Sequence, residues 1–211
     1  MDDAVKYENA NVVIDEPNAA VIKTGNWYKC VFGSERDYFE YEKKYGIVGN
    51  VCMLGAPQGV AKNPCFTYAY LNPMPPLSEL PSGVEIKRLA PSLAETVLNA
   101  YHNPGGGYTV ERIAAVMRDK GIFGAIANGK LAGFIGRHGD GSMGMLEVFE
   151  PYRRRGIAIA LEKFLITYVM TFGRTPVCDV YCDNPASISL QGKLGLQKGC
   201  GYTYWRSEDK D

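Results

Sequence analysis

The chain has 211 residues, of which 46% are apolar and 22% are charged. This composition is typical of a folded globular protein and excludes a disordered chain, a collagen and a coiled coil. Its 23 basic and 23 acidic residues give a formal net charge of zero. A neutral chain has no general attraction to nucleic acid or to an anionic membrane, so we expect neither as a partner. An anionic ligand would need a local cluster of basic residues.

Apolar runs, cysteines and histidines also argue against several classes of protein. No run approaches the roughly 18 apolar residues that a membrane-spanning helix needs, and the acidic N-terminus is unlike a signal peptide. We therefore expect a cytoplasmic protein with its six cysteines reduced. The cysteines form no CxxC pair, and His102 and His138 are the only histidines in the sequence. No metal site is expected.

The first 80 residues contain short apolar runs separated by turn residues. The pattern predicts a hairpin of Val12–Ile14 and Ala20–Ile22, strands at Trp27–Phe32, Val48–Leu54 and Cys65–Leu71, and a helix over Ser34–Tyr45. Residues 72–83 contain four prolines and indicate a linker or long turn. We therefore predict an N-terminal domain over 1–80 and a second domain over 81–211. No catalytic motif lies in the first domain.

Strands and helices alternate after the linker. The predicted elements are strand Val84–Leu89, helices Ser92–Tyr101 and Thr109–Lys120, hairpin Ile122–Ala127 with Leu131–Arg137, strand Met143–Phe149, a long helix starting near Ile157, strand Val177–Tyr181, helix Pro185–Leu194 and strand Gly201–Trp205. His102 and the three glycines at 105–107 lie between the first two helices. These residues predict either an ordinary loop or a lid over a binding site.

The segment Leu146–Ala158 combines a strand, a basic turn and the start of a helix. The first turn of a helix presents unpaired backbone N–H groups and the positive end of the helix dipole. Arg153, Arg154 and Arg155 add charge there, while Gly156 and Ala158 are small enough for a ligand to approach the backbone. The construction suits a diphosphate. The alternative is a solvated basic surface; a Walker loop and a Rossmann fingerprint are both absent from the sequence.

Arg153-x-x-Gly156-x-Ala158 resembles the [RQ]-x-x-G-x-[GA] signature of the GCN5-related N-acetyltransferases (GNATs), and residues 183–196 resemble a second segment of that family. The resemblance covers about residues 84–206 and is greatest to the glycine N-acyltransferase-like and FR47-like branch. It implies an α/β (α+β) fold with a central mixed sheet flanked by helices. It also implies that the smaller N-terminal α/β region is a degenerate copy of the same fold.

The resemblance further implies that acetyl-CoA, or another acyl-CoA, lies between strands Met143–Phe149 and Val177–Tyr181. The N–H of Val148 would face the thioester carbonyl and Phe149 would lie beside the pantetheine arm. The remaining residues assigned to cofactor binding are Arg153, Arg154, Arg155, Gly156, Ile157 and Ala158 around the diphosphate, with Asn184 and Ser187 near the cofactor arm.

In such an enzyme an amine attacks the thioester directly, so a base is needed. Glu147 is the candidate, because a carboxylate can act as a general base and Glu147 shares a strand face with Met145 and Phe149. The alternative is that Glu147 only pairs with an arginine such as Arg137. Glu150 is a weaker candidate. We expect His138 to be a satisfied loop histidine rather than a second base.

The general acid is open, because Gln191 stands where the family often has tyrosine. Ser187, Tyr181 or water could replace the tyrosine, or the thiolate could leave unaided. A Cys182 nucleophile is disfavoured, since no histidine adjoins it in the sequence. The sequence thus predicts an N-acetyltransferase acting on a small amine, an amino acid or a peptide N-terminus. A non-catalytic module that binds CoA or a partner is the alternative, and a homodimer is left open.

Overall fold

The computed structural model describes residues 11–24, 27–32, 34, 36, 37, 40, 43, 44, 50–56, 63–77, 79–102 and 108–206. The strands are β1 (Asn11–Glu16), β2 (Ala19–Thr24), β3 (Trp27–Phe32), β4 (Asn50–Ala56), β5 (Cys65–Ala69), β6 (Val84–Arg88), β7 (Ile122–Ala127), β8 (Lys130–Arg137), β9 (Met143–Val148), β10 (Val177–Tyr181), β11 (Gln197–Lys198) and β12 (Tyr202–Arg206). The helices are α1 (Ala94–Ala100), α2 (Val110–Asp119), α3 (Ile157–Met170) and α4 (Pro185–Leu194). Packing divides the chain into two compact units, Met1–Ala69 with Val177–Asp211, and Tyr70–Pro176.

The first unit is built on a mixed sheet. Its strand order is β1-β2-β3-β4-β12-β5-β10, and β11 also pairs with β5. The β3–β4 pair is parallel, while the β1–β2, β2–β3, β4–β12 and β5–β10 pairs are antiparallel. The core contains Ile14, Val21, Cys30, Val51, Met53 and Tyr204, each at most 3% exposed. Burying these side chains on one face explains the alternation of apolar residues in the N-terminal strands.

The predicted N-terminal elements are confirmed wherever the structure describes them. The hairpin forms around Pro17–Asn18 with longer strands than predicted. Residues 36, 37, 40, 43 and 44 are helical, and Ser34 Oγ accepts a hydrogen bond from Asp37 N at 3.1 Å. Ser34 therefore caps the predicted helix. The other residues of that helix, and residues 48 and 49 of the predicted fourth strand, lie outside the described part of the chain.

The second unit has an antiparallel sheet in the order β9-β8-β7-β6, with helices on both faces. Thr109 caps α2 by accepting a hydrogen bond from Arg112 N at 3.2 Å. The apolar side of α1 and α2 packs with Ile122 and Phe134 of the sheet. On the other face α3 meets the sheet through Phe123, whose ring lies 4.9 Å from that of Phe164. The element order predicted from Val84 onward is confirmed, with short β11 as an addition.

The predicted linker lies against α3. Lys163 Nζ donates a 2.8 Å hydrogen bond to Leu77 O, and Tyr70 Oη donates one of 3.0 Å to Met74 O. At the end of the segment, Pro81 Cγ would be 3.7 Å from a Cβ placed on Gly156. These contacts explain how a proline-rich stretch follows the first two turns of α3. The domain boundary at residues 80 and 81 stays a prediction.

Strand β9 has one residue more than its partner over a short stretch. Phe134 pairs with Glu147 and Gly136 pairs with Gly144, so Ile135 is opposite both Met145 and Leu146. Met145 has a φ of +52°, as expected of a bulged residue in the left-handed region. Met145 nevertheless packs in the core beside Phe134. The bulge therefore sets the face on which Glu147 lies, because paired residues of an antiparallel ladder share a face.

The ladder between β8 and β9 is unusually tight at Gly133. A Cβ at this position would lie 2.5 Å from Glu147 O and 3.0 Å from Val148 Cα. Both are backbone atoms, so no side-chain rotation relieves the overlap. A glycine here is what allows the two strands to approach where β9 ends.

We expect Gly133→Ala to lower the free energy of unfolding by about 1–3 kcal/mol, because β8 and β9 must separate to admit the methyl group. Urea unfolding measures the change. Gly139→Ala is the matched control, since a Cβ at Gly139 meets no described atom within 4 Å. Equal stability of the two variants would contradict the tight approach.

Candidate functional site

A short turn connects β9 to α3. Residues Glu150–Tyr152 form one turn of 3-10 helix, closed by hydrogen bonds from Tyr152 N to Phe149 O (2.8 Å) and from Arg153 N to Glu150 O (3.2 Å). Arg154 and Gly156 then have φ angles of +64° and +78°. Glycine adopts this conformation without steric cost, whereas a side chain on residue 156 would be strained. The two left-handed residues direct the chain into α3.

The N-terminus of α3 has the features of an anion site. Gly156 is the N-cap residue, and the first helical hydrogen bond runs from Ala160 N to Gly156 O at 3.0 Å. Within the described residues no side chain caps this end, and the first turn has no acidic residue. The positive end of the helix dipole is thus left to an external anion. Arg155 lies beside it, 5.9 Å from the ring of Tyr152.

The backbone at the end of β9 has a defined direction relative to β8. Phe149 N donates a 2.9 Å hydrogen bond to Ala132 O of β8. Because successive backbone groups of a strand point to opposite edges, the N–H and C=O of Val148 both point away from β8. The C=O of Val148 accepts a hydrogen bond from Arg153 Nε at 2.9 Å. The Val148 N–H therefore points away from β8, close to the start of the basic turn.

Glu147 is held between two side chains. Its Oε2 lies 3.3 Å from His102 Nδ1, and its Oε1 lies 3.4 Å from Arg153 Nη2. The Glu147 side chain is 15% exposed, whereas that of His102 is 78% exposed. The Glu147 side chain is therefore mostly buried but still partly exposed to solvent.

The arginine beside Glu147 is Arg153 and not Arg137, so the alternative that Glu147 only pairs with an arginine stays open. Arg137 pairs with Met143 on the other face of the sheet, and its Nη2 donates to Lys120 O at 3.1 Å. Its guanidinium lies over the rings of Tyr168 and Phe172. Glu147 faces α1 and α2 instead, because the bulge places it opposite Phe134.

A second polar pair lies on the same face of the sheet as Glu147. Tyr108 Oη is 2.6 Å from His138 Nδ1, and the Arg112 guanidinium lies 5.0 Å from the Tyr108 ring centroid. A Cβ on Gly144 would overlap the imidazole of His138. His138 thus has a partner, as a satisfied loop histidine should. Residues 103–107, which include the glycines of the predicted lid, lie outside the described residues.

The remaining candidates belong to the first unit. Asn184 caps α4, since its Oδ1 accepts a 3.0 Å hydrogen bond from Ser187 N. Gln191 is 1% exposed. Burial raises the pKa of Tyr181, which favours its protonated hydroxyl. The roles of Asn184 and Ser187 toward a cofactor stay predictions.

Sequence reasoning missed three contacts of this site. They are Arg153 with Val148 O, His102 with Glu147, and Tyr108 with His138. The last two join residues 45 and 30 positions apart, and no spacing rule relates such positions. The sequence groups Arg153 with Arg154 and Arg155 around the diphosphate, because nothing in a run of three arginines shows that one side chain turns back onto the strand.

Residues 120–206 match the protein-family model described as FR47-like protein. This match supports the resemblance of the segment to the FR47-like branch of the GNAT superfamily. A search of curated proteins finds no match to the chain. Across the described ranges, no group of three or more His, Cys, Asp or Glu side chains could hold a metal ion. The helices in these ranges are also too short or too polar to cross a membrane.

Solved structures share the fold along most of the chain. A Drosophila protein superposes with a TM-score of 0.68 at 17% identity, covering 97% of this chain and 76% of that one. A GCN5-related N-acetyltransferase from Kribbella flavida has a TM-score of 0.57 at 11% identity, with coverages of 95% and 90%. A tandem GNAT protein from the clavulanic acid biosynthesis pathway has a TM-score of 0.52 at 14% identity, with coverages of 89% and 78%. The mixed α/β architecture of this chain is the GNAT fold.

The cysteines of the first unit differ in their environment. Burial is the main cause that raises the pKa of Cys65 to about 12. Burial also raises the pKa of the half-buried Cys182, against the opposing charge of Lys198. A raised pKa leaves little thiolate near neutral pH, which argues against a Cys182 nucleophile.

We expect iodoacetamide at pH 7.5 to label exposed Cys200 first, Cys182 more slowly, and Cys65 only after unfolding. Peptide mass spectrometry over time measures the order. The pKa of about 12 leaves only about 1 in 30,000 of the Cys65 thiols as thiolate at pH 7.5. Labelling of Cys65 at the rate of Cys200 in the native protein would contradict this environment.

Proposed function

We propose that the protein is a CoA-dependent N-acyltransferase that uses acetyl-CoA as its main donor. The observation that carries the proposal is the N-terminus of α3, which starts at left-handed Gly156 with no side-chain cap among the described residues. Arg154 and Arg155 lie in the same turn. The GNAT fold and the FR47-like segment support a transferase of this class.

In this proposal the diphosphate of acyl-CoA binds the backbone N–H groups from Arg154 to Ala158. The helix dipole and the charge of Arg155 offset its negative charge. The acyl end lies along the side of β9 that faces away from β8, beside Phe149. There the Val148 N–H donates to the thioester oxygen, which becomes an oxyanion when the carbonyl is attacked.

The reaction is direct transfer between donor and acceptor. The neutral amine nitrogen attacks the thioester carbon, the C–N bond forms, and the C–S bond then breaks to release CoA as thiolate. Glu147 takes the proton that the amine nitrogen loses, and this proton passes to the thiolate or to solvent. Glu147 is suited to the task because it lies one residue from Val148 and is reachable from solvent.

The acceptor is a small primary amine, an amino acid or a peptide N-terminus. The side chains on the Glu147 face that could meet it are polar or aromatic, namely His102, Tyr108 and His138. A non-catalytic CoA-binding module is the second candidate. Gln191 favours it, because a buried amide in the position where the family often has tyrosine cannot protonate a leaving thiolate.

We expect Arg155→Gln to weaken acetyl-CoA binding by about tenfold, because one charged contact to the diphosphate is worth roughly 1.5 kcal/mol. Isothermal titration calorimetry at low salt measures the dissociation constant. Arg118→Gln, at the end of α2, is the control for removing a positive charge. Equal affinity of the wild type and Arg155→Gln would show that the basic turn is only surface.

We expect Glu147→Gln to keep acetyl-CoA affinity and to lower kcat about 100-fold, as removal of a general base does. Free thiol release with a panel of primary amines and short peptides measures kcat. Glu95→Gln, at an exposed position of α1, is the control and should retain the wild-type rate. Undiminished turnover in Glu147→Gln would exclude Glu147 as the base.

A further inference from the structure

Arg153 departs from the role that the GNAT resemblance implies. Although it begins the basic turn, its side chain folds back onto β9. Its Nε donates to Val148 O at 2.9 Å, and its Nη2 lies 3.4 Å from Glu147 Oε1. One guanidinium therefore contacts the two residues that the proposed function places beside the thioester.

The backbone direction fixes which side of the strand the guanidinium occupies. Since Phe149 N donates to Ala132 of β8, the N–H and C=O of Val148 both point to the opposite edge. A group bonded to Val148 O is consequently next to the Val148 N–H. The positive charge of Arg153 lies beside the position where the proposed thioester oxygen would accept its hydrogen bond.

We propose that Arg153 is a positioning residue of the transferase and not a ligand of the diphosphate. It fixes the end of β9, so that the Val148 N–H and the Glu147 carboxylate keep one relative geometry, and it adds positive charge near the oxyanion. This inference rests on the proposed function. It assigns the diphosphate to the backbone, Arg154 and Arg155, and assigns Arg153 to the acyl end.

The guanidinium has two properties that the role requires. Its planar fork allows one side chain to donate to a carbonyl and a carboxylate together. A glutamine could reach Val148 O but would bring no charge to Glu147. A lysine would keep the charge without the fork. The side chain is 55% exposed, so replacing it should leave the fold intact.

The test uses acetyl-CoA labelled with ¹³C at the thioester carbonyl, so it needs no knowledge of the acceptor. The dissociation constant reports the diphosphate contacts, and the carbonyl ¹³C chemical shift of the bound donor reports polarisation by β9. We expect Arg153→Gln to bind within threefold of wild type while its bound carbonyl shift moves toward that of free acetyl-CoA. Arg155→Gln should show the reverse, with weaker binding and an unchanged bound shift.

Arg153→Lys provides a second variant, expected to give an intermediate carbonyl shift at wild-type affinity, and melting temperatures verify that each variant is folded. A tenfold loss of affinity in Arg153→Gln would make Arg153 a diphosphate ligand and overturn the inference. An unchanged carbonyl shift would overturn it as well. If the wild type does not bind acetyl-CoA, the proposed function itself fails, and the inference fails with it.

Discussion

The close approach of β8 and β9 at Gly133 determines the geometry of the candidate site. With no side chain at Gly133, the two backbones come together just where β9 ends. The bulge at Met145, two residues before Glu147, shifts the register of β9 by one residue. The side chains of Met145 and Glu147 therefore both lie on the sheet face that packs against α1 and α2. Without the extra residue, Glu147 would point toward α3, because a shift of one residue reverses every side chain of a strand.

The basic turn depends on this strand end. Val148 O accepts a hydrogen bond from Arg153, and Phe149 N donates one to β8. The backbone at the end of β9 is therefore held by hydrogen bonds on both of its edges. The chain then needs two left-handed residues to start α3 in a new direction, and Gly156 supplies the one at the helix N-cap. The resulting helix end has arginines around it and no acidic neighbour in its first turn. An anion would offset the mutual repulsion of these charges.

Local patterns predicted most of the second unit. The hairpin of Ile122–Ala127 with Leu131–Arg137, the helix start at Thr109 and the strand–turn–helix segment after Leu146 each depend on neighbouring residues, and the structure has all three. The bulge could not be predicted, since Met145 is not a residue that favours a positive φ. The arginine partner of Glu147 was missed for a related reason. Arg137 and Arg153 are both close to Glu147 in sequence, and the choice between them depends on the sheet face on which Glu147 lies.

The proposed function depends most on the binding of the acyl-CoA diphosphate at the N-terminus of α3. Backbone amide NMR shifts on adding acetyl-CoA test this binding directly. We expect the largest changes in amide shift at residues 154–158. Free CoA should reproduce these changes, whereas S-acetylpantetheine, which lacks the diphosphate, should not. Acetyl-CoA binding that leaves these amides unshifted, or equal shifts with S-acetylpantetheine, would contradict diphosphate binding at this helix end.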